Sequence, residues 1–260
     1  MQKTLSFLFM ATILVGCHTT NSEWKSLITD NSLDGWHIFQ DDGTKKGWIV
    51  EGNTLTFNGV SDMESGAGDA SLLSDKVYRN FEIQFDWKIE PGGNSGFMWG
   101  VNEDRKYKYP YQTGQEIQIL DAAIYDDPNL VLGGEIELNN VLEDLKARKH
   151  YVGALYDLSA PTKLNVSRPA EQWNSYHIKI DYDANRGDVI FNDTLINSFP
   201  LKGPEWETML KKSKFSKSED YEYLGDARWY DFGIFSEGHI SFQDHPGKVS
   251  FRNIRIKELD

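Results

Sequence analysis

Along most of this chain, apolar and polar residues trade places at every second position. Phe81, Ile83, Phe85, Trp87 and Ile89 alternate with Glu82, Gln84, Asp86 and Lys88, the period of an extended strand with one buried face. The same period runs through Tyr176, Ile178, Ile180 and Tyr182, and again through Ile240 and Phe242. Turn chemistry separates such runs: Gly52-Asn53 closes a hairpin over 47–57, Asn192-Asp193 closes another over 188–199, and Pro91-Gly92-Gly93-Asn94 launches a strand over 95–101. Further strands are expected at 36–39, 153–156, 162–166 and 249–256, and loops at 60–70 and 104–113. Helical spacing occurs twice. Leu138, Val141, Leu142 and Leu145 lead into a basic end, and 204–212 opens with Pro204 and Glu205 and closes on Lys211 and Lys212. Many short strands with few helices predict an all-β sandwich of two antiparallel sheets with one or two short helices.

One run carries more than architecture. In 114–121, Ile117 and Ile119 alternate with Glu116 and Gln118, so one face goes to a core and the other is available to a ligand. Strict alternation puts Asp121 on the wrong face. A β-bulge around Ile119 and Leu120 would re-aim it beside Glu116, giving two carboxylates and an amide on one surface. Carboxylates about 5 Å or more apart suit glycosidic chemistry, one giving a proton and the other acting as base or nucleophile. Gly96 and Gly100 flank Trp99 on a bulky strand, a pattern that makes room for something close to the backbone.

Composition narrows the partners. The net charge of −13 argues against nucleic acid or an anionic membrane surface. A neutral substrate fits better, and the 8 tryptophans and 12 tyrosines include rings able to stack on sugars, although most belong to packing. Residues 1–16 read as a lipoprotein signal peptide, with Lys3 before an apolar run ending in Leu14-Val15-Gly16-Cys17. Leu-Val-Gly-Cys resembles the bacterial lipobox, and Cys17 is the single cysteine of the chain. Lipidation there predicts a membrane-anchored cell-envelope protein, periplasmic or outer-surface, with 17–23 as tether and 24–260 as one domain.

Leu33-Asp34-Gly35-Trp36, Phe81-Glu82, Asn94-Ser95-Gly96, 114–121, Gly153-Ala154-Leu155-Tyr156-Asp157, Gln172-Trp173-Asn174, Gln243-Asp244-His245 and Phe251-Arg252-Asn253-Ile254 occur in that order. Together they resemble the 3-keto-disaccharide hydrolase family, also known as domain of unknown function 1080, over nearly the whole of 24–259. The resemblance implies a concanavalin-like jelly roll that cleaves glycosidic bonds of sugars oxidised at carbon 3. The family pattern Gln-Asp-His-Gly is interrupted here by Pro246 before Gly247.

The chemistry so implied can be rebuilt from the ketone. It acidifies the hydrogen on carbon 2, a carboxylate removes that hydrogen, the enolate expels the group on carbon 1, and water adds back. Glu116 is the expected base, His245 the proton donor, and Asp121 a group that tunes or positions one of them. Gln118, Gln243, Asn94, Trp99, Tyr156 and His150 are expected to bind substrate. His18, His37, His177 and His239 are read as structural. No cofactor is evident, and no metal is expected from ligand spacing, unless Glu116, Asp121 and His245 converge on an ion. Two rival readings stand beside this one. Glu116-Ile117-Gln118-Ile119-Leu120-Asp121 resembles the Glu-x-Asp-x-x-Glu motif of glycoside hydrolase family 16, a retaining β-glucanase fold, with Gln118 in place of the central acid. A non-catalytic carbohydrate-binding lipoprotein is the other.

Overall fold

A computed structural model describes residues 23–40, 47–59, 70–125, 148–216 and 229–260. The signal peptide, most of the tether, all but the last two residues of the helix expected at 138–149 and all but the last residue of the loop expected at 60–70 lie outside the described residues.

Among the described residues, thirteen strands form two antiparallel sheets. In chain order they are β1 Lys25–Ser26, β2 Trp36–Ile38, β3 Trp48–Glu51, β4 Thr54–Phe57, β5 Leu72–Tyr78, β6 Phe81–Ile89, β7 Asn94–Val101, β8 Gln115–Leu120, β9 Asn174–Asp181, β10 Arg186–Phe191, β11 Thr194–Phe199, β12 Gly238–Phe242 and β13 Val249–Glu258. The larger sheet runs β11-β10-β9-β6-β13-β4-β3, with β1 paired to β13, and the smaller runs β2-β5-β12-β7-β8. Strands far apart in sequence become neighbours, as β6 between β9 and β13, which is the jelly-roll arrangement of a sandwich. Both expected hairpins form, with Asn53, Asn192 and Asp193 in the left-handed region that such tight turns require.

The alternating apolar faces meet between the sheets. Phe85 of β6 lies 5.5 Å from Phe97 of β7, 5.3 Å from Phe242 of β12 and 5.9 Å from Phe251 of β13, ring centre to ring centre. Rings at such spacings add to the area they bury. A short helix α1, Gly203–Lys211, starts with Pro204 in its first turn and ends on Lys211, burying Trp206. Among the described residues, no helix is long and apolar enough to cross a membrane.

Two expected strands are absent. Residues 162–166 are irregular, and 153–156 form turns in which Leu155 bridges Ile117 and Ser159. The second segment nevertheless docks on β8. Gly153 donates to the Gln118 carbonyl at 2.9 Å, Gln118 donates to the Ala154 carbonyl at 3.0 Å, and Tyr156 donates to the Glu116 carbonyl at 2.9 Å. Apolar content alone does not make a strand, because Gly153 and Asp157 take left-handed conformations that bend the chain out of the ladder.

Candidate active site

The expected alternation in β8 holds. Ile117 and Ile119 enter the core between the sheets, which turns Glu116 and Gln118 to the outer face of the smaller sheet. On the paired strand β7, Gly96 stands opposite Gln118 and Met98 opposite Glu116. Gly96 is what makes room for Glu116: a β-carbon at position 96 would collide with the Glu116 carboxylate. The close approach expected from the glycines around Trp99 is therefore made by the catalytic candidate itself.

Gln243 follows β12 and donates its backbone N–H to the Gly96 carbonyl at 2.9 Å, bringing it beside the same floor. His245 lies at the end of that floor, its Nε2 3.3 Å from Nδ2 of Asn94. Glu116, Gln118, Gln243 and His245 thus share one face, as expected. Gln118 Oε1, Asn94 Oδ1 and Ser241 Oγ are buried without a protein partner among the described residues. Buried polar atoms normally have partners, so three such atoms around one carboxylate mark a surface built for the hydroxyls of a ligand.

The carboxylate itself is shaped by burial. Loss of solvent raises the Glu116 pKa to about 7, and the charge of Lys214 only partly offsets it. A carboxylate tuned to this range can both take and return a proton near neutral pH. Lys214 follows α1. Burial pulls its own pKa below the usual value against the opposing pull of Glu116 and Asp157. Its Nζ lies 4.3 Å from the centre of the Tyr156 ring, and the His150 ring stacks on the same tyrosine at 4.8 Å. Asp157 joins the two segments: it accepts from the Lys214 backbone N–H at 2.5 Å and pairs with His150 Nε2 at 2.9 Å. Burial alone would raise the Asp157 pKa, but His150 and the Lys214 amide outweigh it and hold the pKa below the ordinary range.

Three expectations need correction. The bulge at Ile119 and Leu120 does not form, since β8 pairs with β7 without a register shift. Asp121 instead closes a turn, accepting from the Gly92 N–H at 3.0 Å and the Ala123 N–H at 3.1 Å, and is not a partner of Glu116. Trp99 points into the core, stacked on Phe199 at 6.2 Å with its indole N–H directed to the Tyr182 hydroxyl at 3.3 Å, so it does not bind substrate. His245 lies on the expected face, but burial lowers its pKa. Asn94 Nδ2 donates to its Nε2.

Glu116, Asp121 and His245 do not converge on an ion: among the described residues, no three His, Cys, Asp or Glu side chains are grouped to hold a metal. His37 pairs with Asp75 and Glu103, His177 with Glu82, and His239 with the Ser74 carbonyl, the structural roles expected of them. The alternation of Ile240 and Phe242 puts Ser241 on the face of Gln243, whereas Lys214 is not singled out by pattern and reads as one more lysine after a helix. A groove of about 690 Å³ on the outer face of the larger sheet, lined by Trp24, Gln84, Asp86, His177, Asn253 and Arg255, lies on the far side of the sandwich. Gln84 pairs there with Arg255 and Asp86 with Asn253.

Comparison with known proteins places this jelly roll among glycoside-cleaving enzymes. The chain belongs to the 3-keto-alpha-glucoside-1,2-lyase-like family, whose model matches residues 23–257. A 3-keto-disaccharide hydrolase of Bacteroides thetaiotaomicron is 28% identical over 249 residues, covering 90% of this chain and 78% of the relative. Among solved structures, a Parabacteroides distasonis protein described as a glycosyl hydrolase superposes with a TM-score of 0.71 at 30% identity, covering 91% of this chain and 94% of its own. A second from the same organism gives 0.59 at 21% identity, with 91% and 100% covered, and supports the fold.

Proposed function

We propose that this enzyme cleaves 3-keto-glycosides by elimination and hydration, with Glu116 as the group that moves the proton. The observation that carries this is a carboxylate packed over Gly96 and raised to a pKa of about 7, on a sheet face that holds amide and hydroxyl oxygens without a partner among the described residues. Glu116 takes the hydrogen on carbon 2, and its electron pair moves toward carbon 3, leaving negative charge on the ketone oxygen. The pair then returns to form the carbon 1 to carbon 2 double bond as the glycosidic bond breaks. The departing oxygen receives a proton from Glu116. Water finally adds its hydroxyl to carbon 1 and a proton to carbon 2, so the net change is hydrolysis. Gln118, Asn94, Gln243, His245 and Tyr156 are the groups in place to hold the sugar.

A retaining glycoside hydrolase needs a second carboxylate on the same face. Gln118 carries no charge and Asp121 is committed to backbone amides, which favours the elimination route. Glu116→Gln keeps the shape but not the acceptor, so kcat on a 3-keto-glycoside should fall by about 10²–10⁴ while KM changes little. In heavy water, the wild-type reaction should place deuterium at carbon 2 of the released keto sugar. Turnover by Glu116→Gln at the wild-type rate, or product without that label, would overturn the route.

A further inference from the structure

We propose that Lys214 is a catalytic residue, whose ammonium group takes up the ketone oxygen on carbon 3 as negative charge develops there. The inference rests on the elimination route given above and assigns the group that faces Glu116 across the reacting atoms.

The position of Lys214 is fixed from both sides. Ser213 and Phe215 are 5% and 4% exposed, and the Phe215 ring stacks on Phe232 at 3.7 Å between centres. The backbone N–H of Lys214 is held by Asp157 at 2.5 Å. Its side chain extends across the Tyr156 ring, and the backbone N–H of that tyrosine bonds the Glu116 carbonyl at 2.9 Å. The ammonium group therefore lies over the ring of the residue whose backbone is bonded to Glu116, and its charge opposes the rise in the Glu116 pKa. Placing a lysine in a desolvated site is costly. A cation with this position has a chemical use, because abstraction at carbon 2 creates negative charge on the ketone oxygen in a partly desolvated site. An ammonium in such a site stabilises a developing enolate far more than it would in bulk water. Pairing the base with a nearby cation also favours proton transfer from carbon only once the ketone is seated between them.

Enolisation can be tested apart from bond cleavage. A 3-keto sugar with hydrogen in place of the glycosidic group at carbon 1 has nothing to eliminate, so exchange of its carbon 2 hydrogen in heavy water reports proton abstraction alone. Lys214→Met should slow that exchange and lower kcat on a cleavable 3-keto-glycoside in the same proportion, by about 10²–10³, with a much smaller change in KM. Lys214→Arg, which keeps the charge, should recover part of both. In Lys214→Met the acid limb of the pH profile should also move to higher pH, because the cation no longer offsets the burial of Glu116. A folded Lys214→Met protein that exchanges at the wild-type rate, or that loses only KM, would overturn the assignment. Trapping of the wild-type protein on the ketone by borohydride would overturn it in favour of an imine. Wild-type protein inert toward the ketone would overturn the elimination route as well, whereas wild-type exchange with an unaffected Lys214→Met overturns the lysine alone.

Discussion

Glu116 is held in the fold at the expense of its own charge, and that has a measurable sign. Its pKa rises from 4.5 to about 7, chiefly through burial, so folded protein holds the proton over a range in which unfolded protein has lost it. Stability from this group is complete below about pH 4.5 and is lost as pH rises through 7. Glu116→Gln should therefore raise Tm at pH 8, by the equivalent of on the order of 1–3 kcal/mol, and leave it nearly unchanged at pH 4. Equal Tm differences at the two pH values would count against a buried carboxylate. The residue itself was legible in the sequence, since Ile117 and Ile119 dictate where Glu116 and Gln118 point. Asp121 was not, because a bulge is a backbone choice that Ile119 and Leu120 do not encode. Lys214 was illegible for another reason: what makes it special is Tyr156 and Asp157, more than fifty residues away in sequence.

At the scale of elements, the site is completed by two segments that are not strands. Residues 148–159 lie along β8, and the stretch after α1 is tied to them through Asp157. The low pKa of Asp157 means that its contribution is present above about pH 4 and lost as pH falls through the folded value. Asp157→Ala should cost roughly 1–3 kcal/mol, and amide hydrogen exchange should rise at Lys214 and at His150 while the β6 and β13 amides stay protected. Protection unchanged at Lys214 would show that Asp157 is not the tie. The strands were legible wherever a full alternating run existed, as in β6 and β9. Segment 153–156 misled because its apolar residues Ala154 and Leu155 are buried from a looped backbone, and burial without a ladder leaves the same composition.

The whole molecule separates its two tasks. One set of alternating residues packs the sheets together and the other decorates the outer faces, which is why sandwich and fold class could be read from period alone. The order of strands could not, because pairing β6 with β13 or β12 with β5 depends on contacts that no local pattern records. Attachment to the cell envelope belongs to this scale too. We propose that Cys17 is lipidated, given the Leu14-Val15-Gly16-Cys17 run and the lack of any other thiol. Cys17→Ser should then release the protein from the membrane fraction, and unchanged partitioning of that variant would refute the anchor.

β8 is an edge strand, and the backbone groups it would otherwise present to solvent are occupied by Gly153, Ala154 and Tyr156. An open edge of this kind invites pairing with a second chain. The irregular cover that holds Tyr156 and Asp157 beside Glu116 also denies that edge to other molecules, so damage to it exposes a template for aggregation. Substitutions that break its backbone contacts to Glu116 and Gln118 should therefore lower solubility and turnover together.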